Sequence, residues 1–139
     1  AYKLLRPAAY QADLWRISVL WMHGGIYLDQ KIQLVHDLDK WVDLLNDEIA
    51  VCWEKFDIDG KWFYWSAMLA ARPRSEALGY VIRHIVQNVR ERYYPPKCFE
   101  KDIHHPDLAV TGPIALTLGL NFSSVRIRAT CEKVDGPRG

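Results

Sequence analysis

Gly24-Gly25-Ile26-Tyr27-Leu28-Asp29-Gln30-Lys31 decides the reading of this chain, because it joins a glycine pair, a short apolar run and an acidic residue. Upstream, Ala8, Ala9, Ala12, Trp15, Val19 and Met22 recur at three-to-four spacing and predict a helix. Pro7 suits its first turn and Gly24 the residue just past its end. Ile26-Tyr27-Leu28 then predicts a short buried strand with Asp29 at its carboxyl end. Open α/β sheets bind ligands just beyond that end of their strands. The two glycines permit close backbone approach and unusual dihedrals. Strand alternation puts Tyr27 and Asp29 on one side, Ile26 and Leu28 on the other. A carboxylate there is costly to bury without a partner. A metal, a ribose hydroxyl or a basic residue would serve; the plainer alternative is that Asp29 merely opens a turn.

On the predicted helix, Asp13 and Arg16 stand three residues apart and so share a face. Together they match the hydroxyls of a sugar, since the carboxylate accepts hydrogen bonds and the guanidinium donates them. The competing reading is an ordinary i,i+3 ion pair worth a few tenths of a kcal/mol.

Working outward, Asp37 or Asp39 is placed to cap a short helix through Trp41, Leu44 and Leu45. Residues 49–53 read as a second strand and 56–61 as a turn. Residues 62–71 are apolar and helix-compatible, ending before Pro73. Leu78, Ile82, Ile85 and Val89 line one face of a helix expected over 75–92, and Pro95 and Pro96 terminate it. Thr111-Gly112-Pro113 is a turn signal, residues 114–120 suit a short helix, and 125–130 a last strand. Short strands layered with helices make this an α/β domain, and the piece reads as too short for a full sheet.

The bulk numbers fit one domain: 139 residues, half of them hydrophobic and 12% aromatic, are enough for a core. Eighteen basic against 17 acidic side chains leave a net charge of +1, which points to neither nucleic acid nor an anionic membrane as partner. The longest apolar stretch, 17–28, is interrupted by Ser18, His23 and the glycines, too short to span a bilayer. Cys52, Cys98 and Cys131 are expected to be scattered buried thiols rather than a disulfide framework. No leader pattern opens the chain, and it reads as an excerpt beginning inside a domain. Asp57-Ile58-Asp59 is expected as a solvated turn, and His104-His105 as a polar loop rather than a metal site. No nucleophile elbow and no phosphate-cradling P-loop motif is present.

Ala9-x-x-Ala12-Asp13-x-x-Arg16 followed by Gly24-Gly25-Ile26-Tyr27-Leu28-Asp29 resembles the glycosyltransferases with a DXD sugar-binding region. That family includes fungal mannosyltransferases and bacterial capsule enzymes and is similar to the core of the large clostridial glucosylating toxins. Asp107-Leu108-Ala109-Val110-Thr111-Gly112-Pro113 looks like its T-G-P turn, and Ala67-Met68-Leu69-Ala70-Ala71-Arg72-Pro73 resembles the segment leading to its next helix. The likeness runs from about Tyr2 to Leu118. It implies a partial GT-A type fold, with the nucleotide-binding unit ahead of Ala1. It also implies hexose transfer from a nucleotide-sugar donor to a glycan, lipid or protein acceptor, usually with retention and with Mn²⁺ or Mg²⁺. Asp13 and Arg16 would hold the donor sugar. Asp29 would be the first acid of the D-x-D, serving catalysis and the metal. Gly24, Gly25, Tyr27 and Lys31 would complete the donor contacts. Fungal relatives imply a Golgi membrane anchor; bacterial or viral relatives imply neither anchor nor Golgi.

The sequence departs from that pattern at one position. The triplet is Asp29-Gln30-Lys31, and an ammonium cannot coordinate a cation. Three readings follow: Lys31 itself neutralises the donor diphosphate; another acid, such as Asp37, Asp57 or Asp59, supplies the missing ligand; or the chain binds sugar donors poorly and has lost activity. The departure also motivates an alternative function, a non-catalytic sugar-nucleotide-binding module.

Overall fold

The computed structural model describes residues 1–55, 62–94, 107–123 and 127–132. After a 3₁₀ turn (Tyr2–Leu4) come α1 (Ala8–His23), β1 (Gly25–Leu28), a second 3₁₀ turn (Leu38–Lys40), β2 (Ile49–Lys55) and β3 (Trp62–Ala71). Then follow α2 (Glu76–Arg90), the single turn α3 (Asp107–Val110), α4 (Pro113–Asn121) and β4 (Ile127–Glu132). The strands form a four-stranded sheet in the order β1-β3-β2-β4. β3 runs antiparallel to both β1 and β2, while β4 lies parallel to β2. Mixed α/β architecture is therefore observed, with no described helix long and apolar enough to cross a membrane.

One face of the sheet carries the main core. Leu14, Ile17 and Leu20 of α1 meet Leu78, Val81 and Ile85 of α2, Leu116 and Leu120 of α4, and Val51 and Leu69 of the sheet. Gly119 permits the α2–α4 contact, because a Cβ there would stand 2.6 Å from Val81 Cα. The other face is covered by Leu38, Trp41, Val42 and Leu44 against Ala50, Cys52 and Ala70.

That second layer explains a correction: residues 62–71 form strand β3, not a helix. β3 is central and covered on both faces, so Leu69 and Ala71 enter one core and Ala70 the other. A strand buried on both sides shows no apolar–polar alternation and mimics a buried helix in sequence. Its aromatic start, Trp62 to Trp65, is the strand-favouring signal.

Three further expectations change. The α1 periodicity picks out the wrong face: Ala8, Ala9, Ala12, Trp15 and Met22 are exposed, whereas Leu14, Ile17 and Leu20 are buried. The helix is apolar on two sides, so spacing alone does not choose between them. Around Asp37 only the 3₁₀ turn forms, the Asp37 side chain makes no capping bond, and Leu45 is exposed. Cys52 is disulfide-bonded, and Cys131 stands opposite it in the β2–β4 register, which overturns the picture of scattered thiols. Asp57, Asp59, Pro95, Pro96, Cys98, His104 and His105 lie outside the described residues.

The helix expected over 75–92 appears as α2, with Ser75 as N-cap. Its Oγ accepts from Leu78 N at 3.2 Å and donates to Glu48 Oε1 at 2.7 Å, and Ala77 N also donates to Glu48 Oε1 at 3.0 Å. A buried cap of this kind is worth about 1 kcal/mol.

Candidate functional site at the carboxyl end of β1

The junction between α1 and β1 is set by its glycines. Gly24 has φ 68° and ψ −168°, a region essentially restricted to glycine. A Cβ there would lie 2.5 Å from Pro73 Cδ and 2.7 Å from Pro73 N. Gly25 also has positive φ, 105°, but faces open space. The pair turns the chain sharply from helix into strand while α1 rests on the β3–α2 connection, where Arg74 N donates to Trp21 O and the Arg74 guanidinium covers the Trp21 ring.

β1 then delivers Asp29. Its N–H donates to Ala67 O at 2.8 Å, extending the β1–β3 ladder by one rung, and Ile32 N closes a turn onto Asp29 O at 3.0 Å. The Asp29 side chain is partly exposed, at 41%. Its Oδ1 accepts from the Tyr27 hydroxyl at 2.6 Å and from Arg16 Nη1 at 3.4 Å. Tyr27 and Asp29 do share a side of the strand. Burial, and next the hydrogen bond given to Asp29, hold the Tyr27 phenol above its ordinary pKa, so it stays protonated and donating.

Arg16 is the centre of the cluster. Its side chain is 12% exposed. Nη2 pairs with Asp13 Oδ1 at 3.2 Å, Nη1 donates to Ser66 O at 2.9 Å as well as reaching Asp29, and the guanidinium lies 4.8 Å over the Tyr27 ring. The other Asp13 oxygen, Oδ2, accepts from Thr111 Oγ1 at 2.9 Å. The simple i,i+3 pair is thus one edge of a network that joins α1, the end of β1, β3 and the T-G-P turn.

Asp13, Arg16, Tyr27 and Asp29 are brought together; Gly24 and Gly25 shape the backbone leading to them. Lys31 is exposed in the turn after Asp29, and no described contact ties it to the cluster. Two participants were not expected. Ser66 contributes only a carbonyl, made available by an irregularity in the sheet: opposite Val51 and Cys52, β3 passes from Leu69 to Trp65, so Ser66, Ala67 and Met68 have no β2 partner. No side-chain pattern announces such a carbonyl. Thr111 was visible as part of a turn motif, but its hydrogen bond spans 98 positions, beyond the reach of spacing arguments.

A divalent cation at this site would have to be held by these side chains. Hard cations of this kind require several oxygens, usually carboxylates and phosphates. Asp13 is held by Arg16 and Thr111, Asp29 Oδ1 already accepts two hydrogen bonds, position 31 is a lysine, and Asp37 is exposed at the start of the second 3₁₀ turn. Among the described residues no three His, Cys, Asp or Glu side chains are grouped to hold an ion. These residues do not fit a protein-built cation cage.

Residues 1–46 match the family model for the glycosyltransferase sugar-binding region containing DXD motif. The resemblance read from the Asp13–Arg16 and Gly24–Asp29 blocks is borne out over that part of the chain. No curated protein matches the sequence. Among solved structures the chain is similar to one titled PaToxG Glycosyltransferase, at 19% identity and a TM-score of 0.49, over 82% of this chain and 34% of that one. The chain thus spans about a third of that structure's length.

Proposed function

We propose that this chain forms the donor-sugar end of a nucleotide-sugar glycosyltransferase site, moving a hexose to a hydroxyl of a glycan, lipid or protein. The observation that carries the proposal is the convergence of Asp13 and Asp29 on one guanidinium at the end of β1. Carboxylate oxygens that accept beside a guanidinium that donates suit the mixed donors and acceptors of sugar hydroxyls. The family match over the same residues supports the reading.

In the reaction, the anomeric C1–O bond to the diphosphate breaks, a C1–O bond to the acceptor hydroxyl forms, and the proton of that hydroxyl passes to an oxygen of the departing diphosphate. Negative charge grows on the departing diphosphate, and fixed cationic groups nearby lower the barrier. Lys31 supplies such a group in this reading, in the place of the second acid. Asp13 and Arg16 orient the sugar and Asp29 lies against its reacting side, with retention at C1. No step requires a protein-built cation cage.

The lysine also motivates a second reading, a non-catalytic sugar-nucleotide-binding module. One experiment separates the two. UDP-glucose, UDP-N-acetylglucosamine and GDP-mannose are offered to the protein and to Asp29→Ala, with calorimetric binding and nucleoside diphosphate release measured side by side. Release by the parent, lowered at least a hundredfold in Asp29→Ala, supports the transferase. Binding without release supports the module, and neither binding nor release refutes both.

A further inference from the structure

Thr111-Gly112-Pro113 lies outside the segment matched by the family model yet reaches into the cluster, and each of its residues has a separable physical task. Pro113 opens α4, where its missing N–H is no loss. Gly112 is the α4 N-cap, and a Cβ on it would meet Leu108 Cα at 3.0 Å, so the glycine lets α4 start directly against α3. Thr111 is 3% exposed, and its hydroxyl donates a hydrogen bond to Asp13 Oδ2 at 2.9 Å.

α4, which starts at that turn, is itself fastened at two places. Thr117 Oγ1 accepts from Tyr64 N at 2.8 Å and donates to Pro113 O at 2.8 Å, and Gly119 lies against Val81 of α2. Asn88 of α2 donates to Ala109 O and Val110 O, pinning the residues just before Thr111. The Thr111 hydroxyl is consequently presented from a rigid frame.

Asp13 therefore has its carboxylate plane fixed from both sides, by Arg16 on Oδ1 and by Thr111 on Oδ2. We propose that Thr111 is a positioning residue: through Asp13 it sets the angle at which that carboxylate accepts hydroxyls of the donor sugar. This rests on the donor-site reading above. Thr111 touches no substrate itself; its effect passes entirely through Asp13. A hydrogen bond to a charged acceptor is the stronger kind and directional, and displacing an oriented polar group by a small distance has large kinetic consequences.

The test is a double-mutant cycle. Thr111→Val keeps the shape and removes the donor, Thr111→Ser keeps the donor, and both are combined with Asp13→Asn. Sugar-nucleotide turnover is measured with the same three donors, together with Tm and the ¹³C carboxyl signal of Asp13 by NMR. The expected result is about a tenfold loss of kcat/KM in Thr111→Val, recovery to within about threefold in Thr111→Ser, and no further loss when Thr111→Val is added to Asp13→Asn. The Asp13 signal moves in the valine variant and returns in the serine variant. Additive losses in the cycle, or wild-type turnover in Thr111→Val with a moved Asp13 signal, overturn the positioning role. If the parent turns over none of the donors, the transferase reading fails with it, while an Asp13 signal indifferent to Thr111→Val refutes the contact on its own.

Discussion

Gly24→Ala and Gly25→Ala form a matched pair that tests how the site is held. Both glycines have positive φ, so alanine at either position is strained by about 1–3 kcal/mol. The neighbours differ. At Gly25 a new Cβ meets nothing within 4 Å, whereas at Gly24 it stands 2.5 Å from Pro73 Cδ and 2.7 Å from Pro73 N. The nitrogen is backbone, so rotating a side chain cannot relieve the overlap; α1 or the β3–α2 connection has to move. Forced overpacking of that sort adds about 1–3 kcal/mol. Alanine also lowers the entropy of the unfolded chain, by about 0.4–1 kcal/mol in both variants, which cancels in the comparison. Gly24→Ala is therefore expected to cost about 2 kcal/mol more than Gly25→Ala. Urea unfolding followed by tryptophan fluorescence measures it. Trp21, whose ring lies 4.2 Å from the Arg74 guanidinium beside the junction, reports the local displacement. Equal midpoints for the two variants at equal m-values would falsify the close α1–Pro73 packing as the reason for the glycine.

Two further outcomes are expected. If Lys31 carries the charge compensation, adding EDTA lowers sugar-nucleotide turnover by no more than about twofold, while Lys31→Met lowers it at least tenfold; complete loss on chelation with an unaffected Lys31→Met variant would reverse the assignment. His84 on α2 has its pKa lowered by burial, and its buried Nε2 has no hydrogen-bond partner among the described residues. The unfolded chain then binds the proton more readily than the native one, so stability falls as pH drops through the ordinary histidine value near about 6.5. Urea midpoints between pH 8 and 5 should fall less steeply in His84→Phe than in the parent, and parallel curves would refute this.

How much of the molecule was legible in its sequence varies with the physics of each element. α2 was readable because Ser75 stands ahead of a one-sided amphipathic stretch, and a glycine pair before a short apolar run placed β1. The burial expected of β1 does not hold, since Ile26 is 40% exposed and Tyr27 and Leu28 are only partly buried. β3 was not readable, because two apolar layers cover it and erase the alternation. The α1 boundaries were clear, but its buried side was not, since Trp15 and Met22 on one side are as apolar as Leu14 and Ile17 on the other. The cluster was half legible. Asp13, Arg16, Tyr27 and Asp29 follow from helix and strand periodicity combined with a family pattern. Ser66 O and Thr111 enter through sheet irregularity and long-range packing, which no local spacing encodes.

The charges around Arg16 bear on what replaces the second acid. Asp13 and Asp29 against one guanidinium leave the cluster a single unit negative. A carboxylate at position 31 would make the local excess two units, which a divalent cation arriving with a diphosphate would offset. In the proposed reading, Lys31 would instead bring the local count to neutrality and offer an ammonium to the diphosphate. Its stem is long and exposed, so at rest solvent screens the charge and the lysine contributes little to stability. Once a donor excludes water from the turn after Asp29, the same ammonium acts in a lower dielectric and its attraction for phosphate oxygens strengthens severalfold. Arg16 is poorly placed for this task, because Nη1 and Nη2 already serve Asp13, Ser66 and Asp29 and its Nε is buried. A cation-free variant of the site would therefore call for a further positive group near Asp29, which is the role proposed above for Lys31.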